Sequence, residues 1–231
     1  AGDIDSDKAK KYVDYVFGEL PILGKKRKIP KFETLAKGEN FFEMESPQST
    51  VIFGQRGVSR KEENYFAVRI LNYILGGGGF QSRLYKEVRE KSGLVYSIYA
   101  YLIPFENDGV IIGGFQTRNE TVNETILKVK DQWNMMKKEG INARELRDAK
   151  TYYKGSFSRN LTSTISIASL LKVVQYYDLG RDYFKKRSEI IDNLKLKDVN
   201  LLASELFNKN DLFFMIVGTV SYTHLRAHET Q

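Results

Sequence analysis

The chain has 231 residues, 42% hydrophobic and 28% charged, a balance that argues against a disordered chain and is enough for a packed core. There is no cysteine, and the only histidines, His224 and His228, fall in the last eight residues, so residues 1–223 exclude disulfides, a Ser–His–Asp triad, a histidine general base and a Cys- or His-ligated zinc. More than half of the net charge of +7 sits between residues 21 and 40, where six cations face two acids around Pro21, Gly24, Pro30 and Gly38; this fits a basic linker better than a nucleic-acid-binding face.

In chain order, Asp5 and Ser6 cap a helix with Tyr12, Val13, Val16, Phe17 and Leu20 at helical spacing, ended by Gly18 and Pro21. After the linker, Phe41–Glu45 and Thr50–Gly54 read as strands broken by Ser46-Pro47-Gln48. Glu63–Leu75 is apolar almost all round and reads as a buried helix, stopped by Gly76–Gly79. A shorter helix, Gln81–Lys91, ends at Gly93. Strand-like runs follow at Leu94–Ile103 and Gly109–Thr117, joined by Glu106-Asn107-Asp108. Thr117 with Glu120 forms a capping-box pattern for a helix carrying Val122, Ile126, Val129, Trp133 and Met136. Asn142 with Glu145 caps the next helix, which runs to about Asn160. Ile165–Asp178, Asp182–Asp192 and Asp198–Phe207 read as further helices, and Leu212–Val217 as a last strand. Paired strands and runs of helices predict an α+β fold with a mostly antiparallel sheet. No apolar run approaches the ~20 residues of a membrane helix, and Ala1-Gly2-Asp3-Ile4-Asp5 has no signal-peptide pattern.

The Gly76–Gly79 tract lacks the Lys-Ser/Thr of a Walker loop and follows a helix instead of the strand of a dinucleotide turn, so it reads as a flexible connection lining a cleft. His224-Leu225-Arg226-Ala227-His228-Glu229 does not match the zinc motif H-x-x-E-H. The stretch from Val220 breaks with the Lys-rich style of the chain before it and resembles translated sequencing-adaptor read-through, so 219–231 is expected to be a non-native tail. Arg89 and Tyr96 stand on either side of a tight turn at Gly93, which can hold their polar ends together at a cleft edge.

The block from Ile70 to Ala100 contains Leu71-Asn72-Tyr73-Ile74-Leu75-Gly76-Gly77-Gly78, then Ser82-Arg83-Leu84, then Val88-Arg89-Glu90-Lys91-Ser92-Gly93-Leu94-Val95-Tyr96-Ser97. It resembles the second-half motif of the insulinase/pitrilysin and mitochondrial processing peptidase family, the inverzincin zinc metallopeptidases. That motif runs L-N-x-I-L-G-G-G, S-R-L, V-R-E-K-x-G-L-x-Y-S. The resemblance extends to Ser46-Pro47-Gln48, Phe53-Gly54-Gln55, Glu139-Gly140-Ile141, Glu145-Leu146, Ala149-Lys150 and Val217-Gly218. It implies one of two homologous halves, each an antiparallel sheet with helices packed on it, enclosing a chamber. The first half of such peptidases binds zinc through H-x-x-E-H and a distal glutamate. The second supplies an arginine–tyrosine pair, matched here by Arg89 and Tyr96.

On this resemblance residues 1–24 are a remnant of the preceding half, 25–40 the linker and 41–218 the second half. The chain itself is expected to hold no metal, with zinc entering only in the full assembly. Its expected partners are a zinc-bearing homologous half or partner subunit and a peptide substrate, with no nucleic acid. Arg89 would then bind a substrate carbonyl and Tyr96 would donate to the developing oxyanion. The alternatives are a zinc-less subunit of a heterodimeric processing peptidase and a structural, non-peptidase relative.

Overall fold

The structure, a computed structural model, describes residues 1–24 and 36–219. The basic run 25–35, the tail from residue 220 and both histidines lie outside the described residues.

Five strands form one sheet: β1 (Gly38–Glu43), β2 (Gln48–Arg56), β3 (Ile98–Pro104), β4 (Gly109–Arg118) and β5 (Phe213–Gly218), in the order β1-β5-β2-β4-β3. Only β1 with β5 is parallel; the other three pairings are antiparallel, so the sheet is mostly antiparallel. β1 begins at Gly38, inside the stretch read as linker. Just past the last strand, the Thr219 hydroxyl accepts from the Ser46 backbone N–H at 2.9 Å.

Strand alternation sends one face of the sheet into the core. Val51 and Phe53 of β2, Ile98 and Ala100 of β3, Ile111 and Phe115 of β4, and Phe214 and Ile216 of β5 are buried there. Three helices face them: α2 (Tyr65–Asn72), α3 (Val122–Lys138) and α7 (Leu196–Leu206). Phe53 is the centre of this layer, 5.6 Å edge-on to Trp133 and about equally close to Phe115 and Phe214. Trp133 donates to the Gln55 amide oxygen at 2.5 Å, and the Gln55 amide nitrogen donates to the Leu206 carbonyl at 2.9 Å. The buried Trp133 indole and Gln55 amide are therefore paired, as burial requires. The opposite face of the sheet is open and carries Ile52, Tyr99, Tyr101, Ile103 and Met215.

The helical periodicities are realised. In α3, Val122, Ile126, Val129, Trp133 and Met136 are all buried. The Asn142–Glu145 capping box forms in both directions at the start of α4 (Ala143–Gly155). Helix α4 stops at Gly155, short of the expected Asn160, and passes into a 3-10 turn, Ser156–Leu161. The chain then continues through α5 (Thr164–Tyr176) and α6 (Tyr183–Asn193). The N-terminal helix α1 (Ser6–Phe17) is capped by Asp5, yet buries none of its residues.

Three further expectations change. The Thr117–Glu120 box does not form, because Thr117 is the penultimate residue of β4 and its hydroxyl donates to the Leu94 carbonyl at 2.6 Å. The run Leu94–Ile103 pairs only from Ile98 onward; Leu94 and Val95 are buried in the core without a strand partner, so their apolar character reports burial and not pairing. The helix expected to stop at Gly76 instead takes Gly76 and Gly77 into a π turn, Tyr73–Gly77.

Candidate functional site

The glycine tract is a hydrogen-bonded joint between two widened helical turns. Gly78 N–H donates to the Tyr73 carbonyl at 2.8 Å, and the Ser82 hydroxyl donates to the Gly79 carbonyl at 2.8 Å. Gly76 is buried against β3: a Cβ there would lie 2.7 Å from both the Cβ and the backbone nitrogen of Ala100. Asn72 ties the same helix end to β3 by donating to the Ala100 carbonyl at 3.1 Å. Gly79 is exposed with φ +57°, a left-handed geometry that favours glycine. After this joint the backbone forms a second π-helical segment, Tyr85–Lys91. Such wide turns are rare and concentrate at functional sites.

Arg89 lies on that second segment. Gly93 (φ +63°) reverses the chain, and the Leu94 N–H closes the reversal on the Val88 carbonyl at 3.1 Å. Tyr96 is thereby carried back beside Arg89. The two residues meet through the tyrosine backbone and ring: Arg89 Nε donates to the Tyr96 carbonyl at 2.9 Å, and the guanidinium stands 5.8 Å from the Tyr96 ring centroid. On its other side it lies 4.8 Å from the Tyr85 ring, which Phe80 contacts edge-on at 4.8 Å. The guanidinium is thus held between two rings and one carbonyl. Its two Nη groups and the Tyr96 hydroxyl have no partner among the described residues, and Tyr96 is 88% exposed. Tyr85 and Phe80 were not singled out from the sequence; the only signal for Tyr85 is its position four residues before Arg89.

Behind this edge, Arg83 clamps the Glu145 carboxylate through Nε and Nη2, both at 2.7 Å, and also reaches the Gly140 carbonyl at 2.9 Å. The S-R-L and Glu145-Leu146 parts of the motif are therefore two ends of one ion pair. Burial pushes the Glu145 carboxyl up, but the Arg83 and Asn142 hydrogen bonds outweigh it and hold the group below the usual carboxylate range. Among the described residues no group of three or more His, Cys, Asp or Glu could hold a metal, and no helix is long and apolar enough to cross a membrane.

A five-stranded, mostly antiparallel sheet with helices packed on one face is the α+β architecture of the inactive C-terminal half of zinc-protease-like proteins. A family model described as the peptidase M16 inactive domain matches residues 1–153, and the chain belongs to that family. It is 33% identical over 222 residues to a Bacillus subtilis protein named uncharacterized zinc protease YmxG, covering 91% of this chain and 51% of that one. It is 29% identical over 222 residues to the Helicobacter pylori protein named non-peptidase homolog YmxG, covering 94% of this chain and 50% of that one. The crystal structure of the peptidase M16 inactive domain from Pseudomonas fluorescens superposes with TM-score 0.80 at 30% identity, covering 95% of this chain and 53% of that chain. The chain spans about half the length of the curated relatives it matches.

Proposed function

We propose that this chain is the substrate-cleft half of a zinc metalloendopeptidase acting on peptides or unfolded chains, opposite a zinc site carried by a homologous half or partner subunit. The chain's own residues do not fit zinc, since residues 1–223 contain no histidine or cysteine and no acidic cluster stands in for them among the described residues. The observation that carries the reading is the Arg89–Tyr96 edge. A guanidinium fixed by two rings and its own Nε leaves a fork directed to an acceptor, and an exposed phenol beside it has a free donor. A substrate carbonyl suits the fork, and an oxyanion forming at the scissile carbon suits the phenol. The glycine joint Gly76–Gly79 borders this edge as a cleft-lining connection.

The name of the Helicobacter pylori relative supports a second reading, in which the parent is a zinc-less or non-peptidase relative. The test is turnover of a fluorogenic peptide by an assembly of this chain with its zinc-bearing half. Arg89→Ala is expected to lower kcat/KM strongly. Equal turnover with and without Arg89 would leave the edge as scaffold and favour the second reading.

A further inference from the structure

Away from that edge, Arg60 from the loop after β2, Arg69 from α2 and Arg187 from α6 converge on a cavity of about 370 Å³ beneath the end of α4. Arg159 lines it as well, and no acidic side chain does. Each of these guanidinium groups has aromatic or neutral company. Arg60 donates to the Tyr65 and Tyr183 hydroxyls and lies 4.2 Å over the Tyr65 ring. Arg69 stands 4.8 Å from the Tyr153 ring. Arg187 donates through Nη2 to the Tyr153 carbonyl at 2.7 Å and lies 4.5 Å from the Phe157 ring. Arg187 is only 5% exposed, and its Nη1 is buried with no hydrogen-bond partner.

A buried guanidinium stays charged, and an unsatisfied buried donor on a charged group is costly unless something accepts from it. Here the neighbours increase the strain: burial first, then the repulsion of Arg69 and Arg60, push Arg187 below its ordinary basicity. Tyrosine rings and hydroxyls soften this field but supply no negative charge. A group with several acceptor oxygens and a full negative charge answers all three arginines at once, because guanidinium forks match carboxylate and phosphate geometry. Ser156 and Asn160, at the same cavity, add neutral groups able to hydrogen-bond its remaining oxygens.

We propose that the Arg60–Arg69–Arg187 cavity is a binding site for a small oxyanion, a phosphate group or a carboxylate such as a peptide C-terminus. The proposal stands on this arginine-lined cavity, with Arg187 buried and its Nη1 unpartnered, and is independent of the peptidase reading.

The test is thermal melting of the 231-residue chain at fixed pH and ionic strength, with chloride replaced stepwise by inorganic phosphate in one series and by acetate in another. Binding only to the folded state is expected to raise Tm saturably, by about 3–6 °C at ten times the dissociation constant. Saturation at lower phosphate than acetate identifies a phosphate ligand; the reverse order identifies a carboxylate. Arg187→Gln should abolish the rise, while Arg144→Gln, an exposed position on α4 outside the cavity, should keep it. If Arg187→Gln does not fold, the arginine Nε–Hε resonances of the intact chain decide: those of Arg60 and Arg187 should move with added phosphate or acetate. No saturable rise with either anion, an undiminished rise in Arg187→Gln, or resonances that stay fixed would overturn the site.

Discussion

The Arg89 guanidinium donates its Nε to the Tyr96 carbonyl, lies near the Tyr85 and Tyr96 rings, and has no partner for its Nη groups among the described residues. That division of labour predicts different kinetics for the two site residues in an assembly with the zinc-bearing half. If the phenol donates only as charge develops, Tyr96→Phe should lower kcat about 100–1,000-fold with KM little changed. Its melting curve should match wild type, because the side chain is exposed. Arg89→Ala should raise KM as well, since a carbonyl is bound before reaction. Arg89→Lys should restore little, lacking both the fork and the Nε bond. A Tyr96→Phe assembly with unchanged kcat would remove the phenol from the chemistry. The Arg83–Glu145 pair predicts a pH effect of definite sign. Its folded-state carboxyl lies below the ordinary range, so its contribution is present above the unfolded pKa of about 4.3 and is lost as pH falls through the folded value. Glu145→Gln should therefore destabilise by about 1–3 kcal/mol at neutral pH. Urea denaturation should show that difference narrowing in acid; a gap that stays constant to low pH would count against the ion pair as its cause.

At the scale of elements, the joint between α2 and β3 is set by how closely two backbones approach. A methyl at Gly76 would have to displace Ala100, whereas one at Gly79 meets open space and only the cost of its left-handed φ. Gly76→Ala is thus expected to destabilise by about 1–3 kcal/mol through overpacking, and Gly79→Ala by about 1 kcal/mol through backbone strain. Chemical denaturation of the two variants checks the order, and a Gly76→Ala chain as stable as wild type would show that the contact gives way. The same elements show what the sequence makes legible. Apolar spacing in α3 survives, and the Asn142–Glu145 box forms even though Arg83 shares the Glu145 carboxylate, because that carboxylate has acceptor capacity for both. The analogous pattern at Thr117–Glu120 fails because the Leu94 carbonyl takes the Thr117 hydroxyl. Leu94 and Val95 look like strand since buried apolar residues read the same whether or not their backbone pairs. The π turns leave no periodic trace, as one extra residue per turn is a matter of packing. Of the candidate site, Arg89 and Tyr96 were legible through the motif and the turn at Gly93. The rings of Tyr85 and Phe80, and the arginine cavity assembled from a loop, α2 and α6, were not, because folding alone brings them together.

For the whole molecule, the informative surfaces are those the fold leaves uncovered. The outer face of the sheet exposes Ile52, Tyr99, Tyr101, Ile103 and Met215, and α1 exposes Tyr12, Val13, Val16, Phe17 and its neighbour Leu20. Exposed apolar surface of this kind marks a contact face, and on the proposed reading a zinc-bearing half of the parent protein would supply the cover. The zinc chemistry is expected to reside there, which yields a prediction for this chain alone. After dialysis it should retain no stoichiometric zinc and should cleave no peptide, and mixing with the zinc-bearing half should restore cleavage without adding metal to this chain. The reason lies in composition: no imidazole or thiol precedes residue 224, and two of the nearby acids are engaged elsewhere, Glu145 with Arg83 and Glu87 with Lys91. The measurement is metal analysis of the dialysed chain, repeated after removal of residues 220–231 so that His224 and His228 cannot contribute. That removal is itself expected to leave the melting temperature unchanged. One tightly held zinc per chain in the truncated form would overturn the assignment of this half as metal-free. It would require a ligand set built from carboxylates that the fold keeps apart.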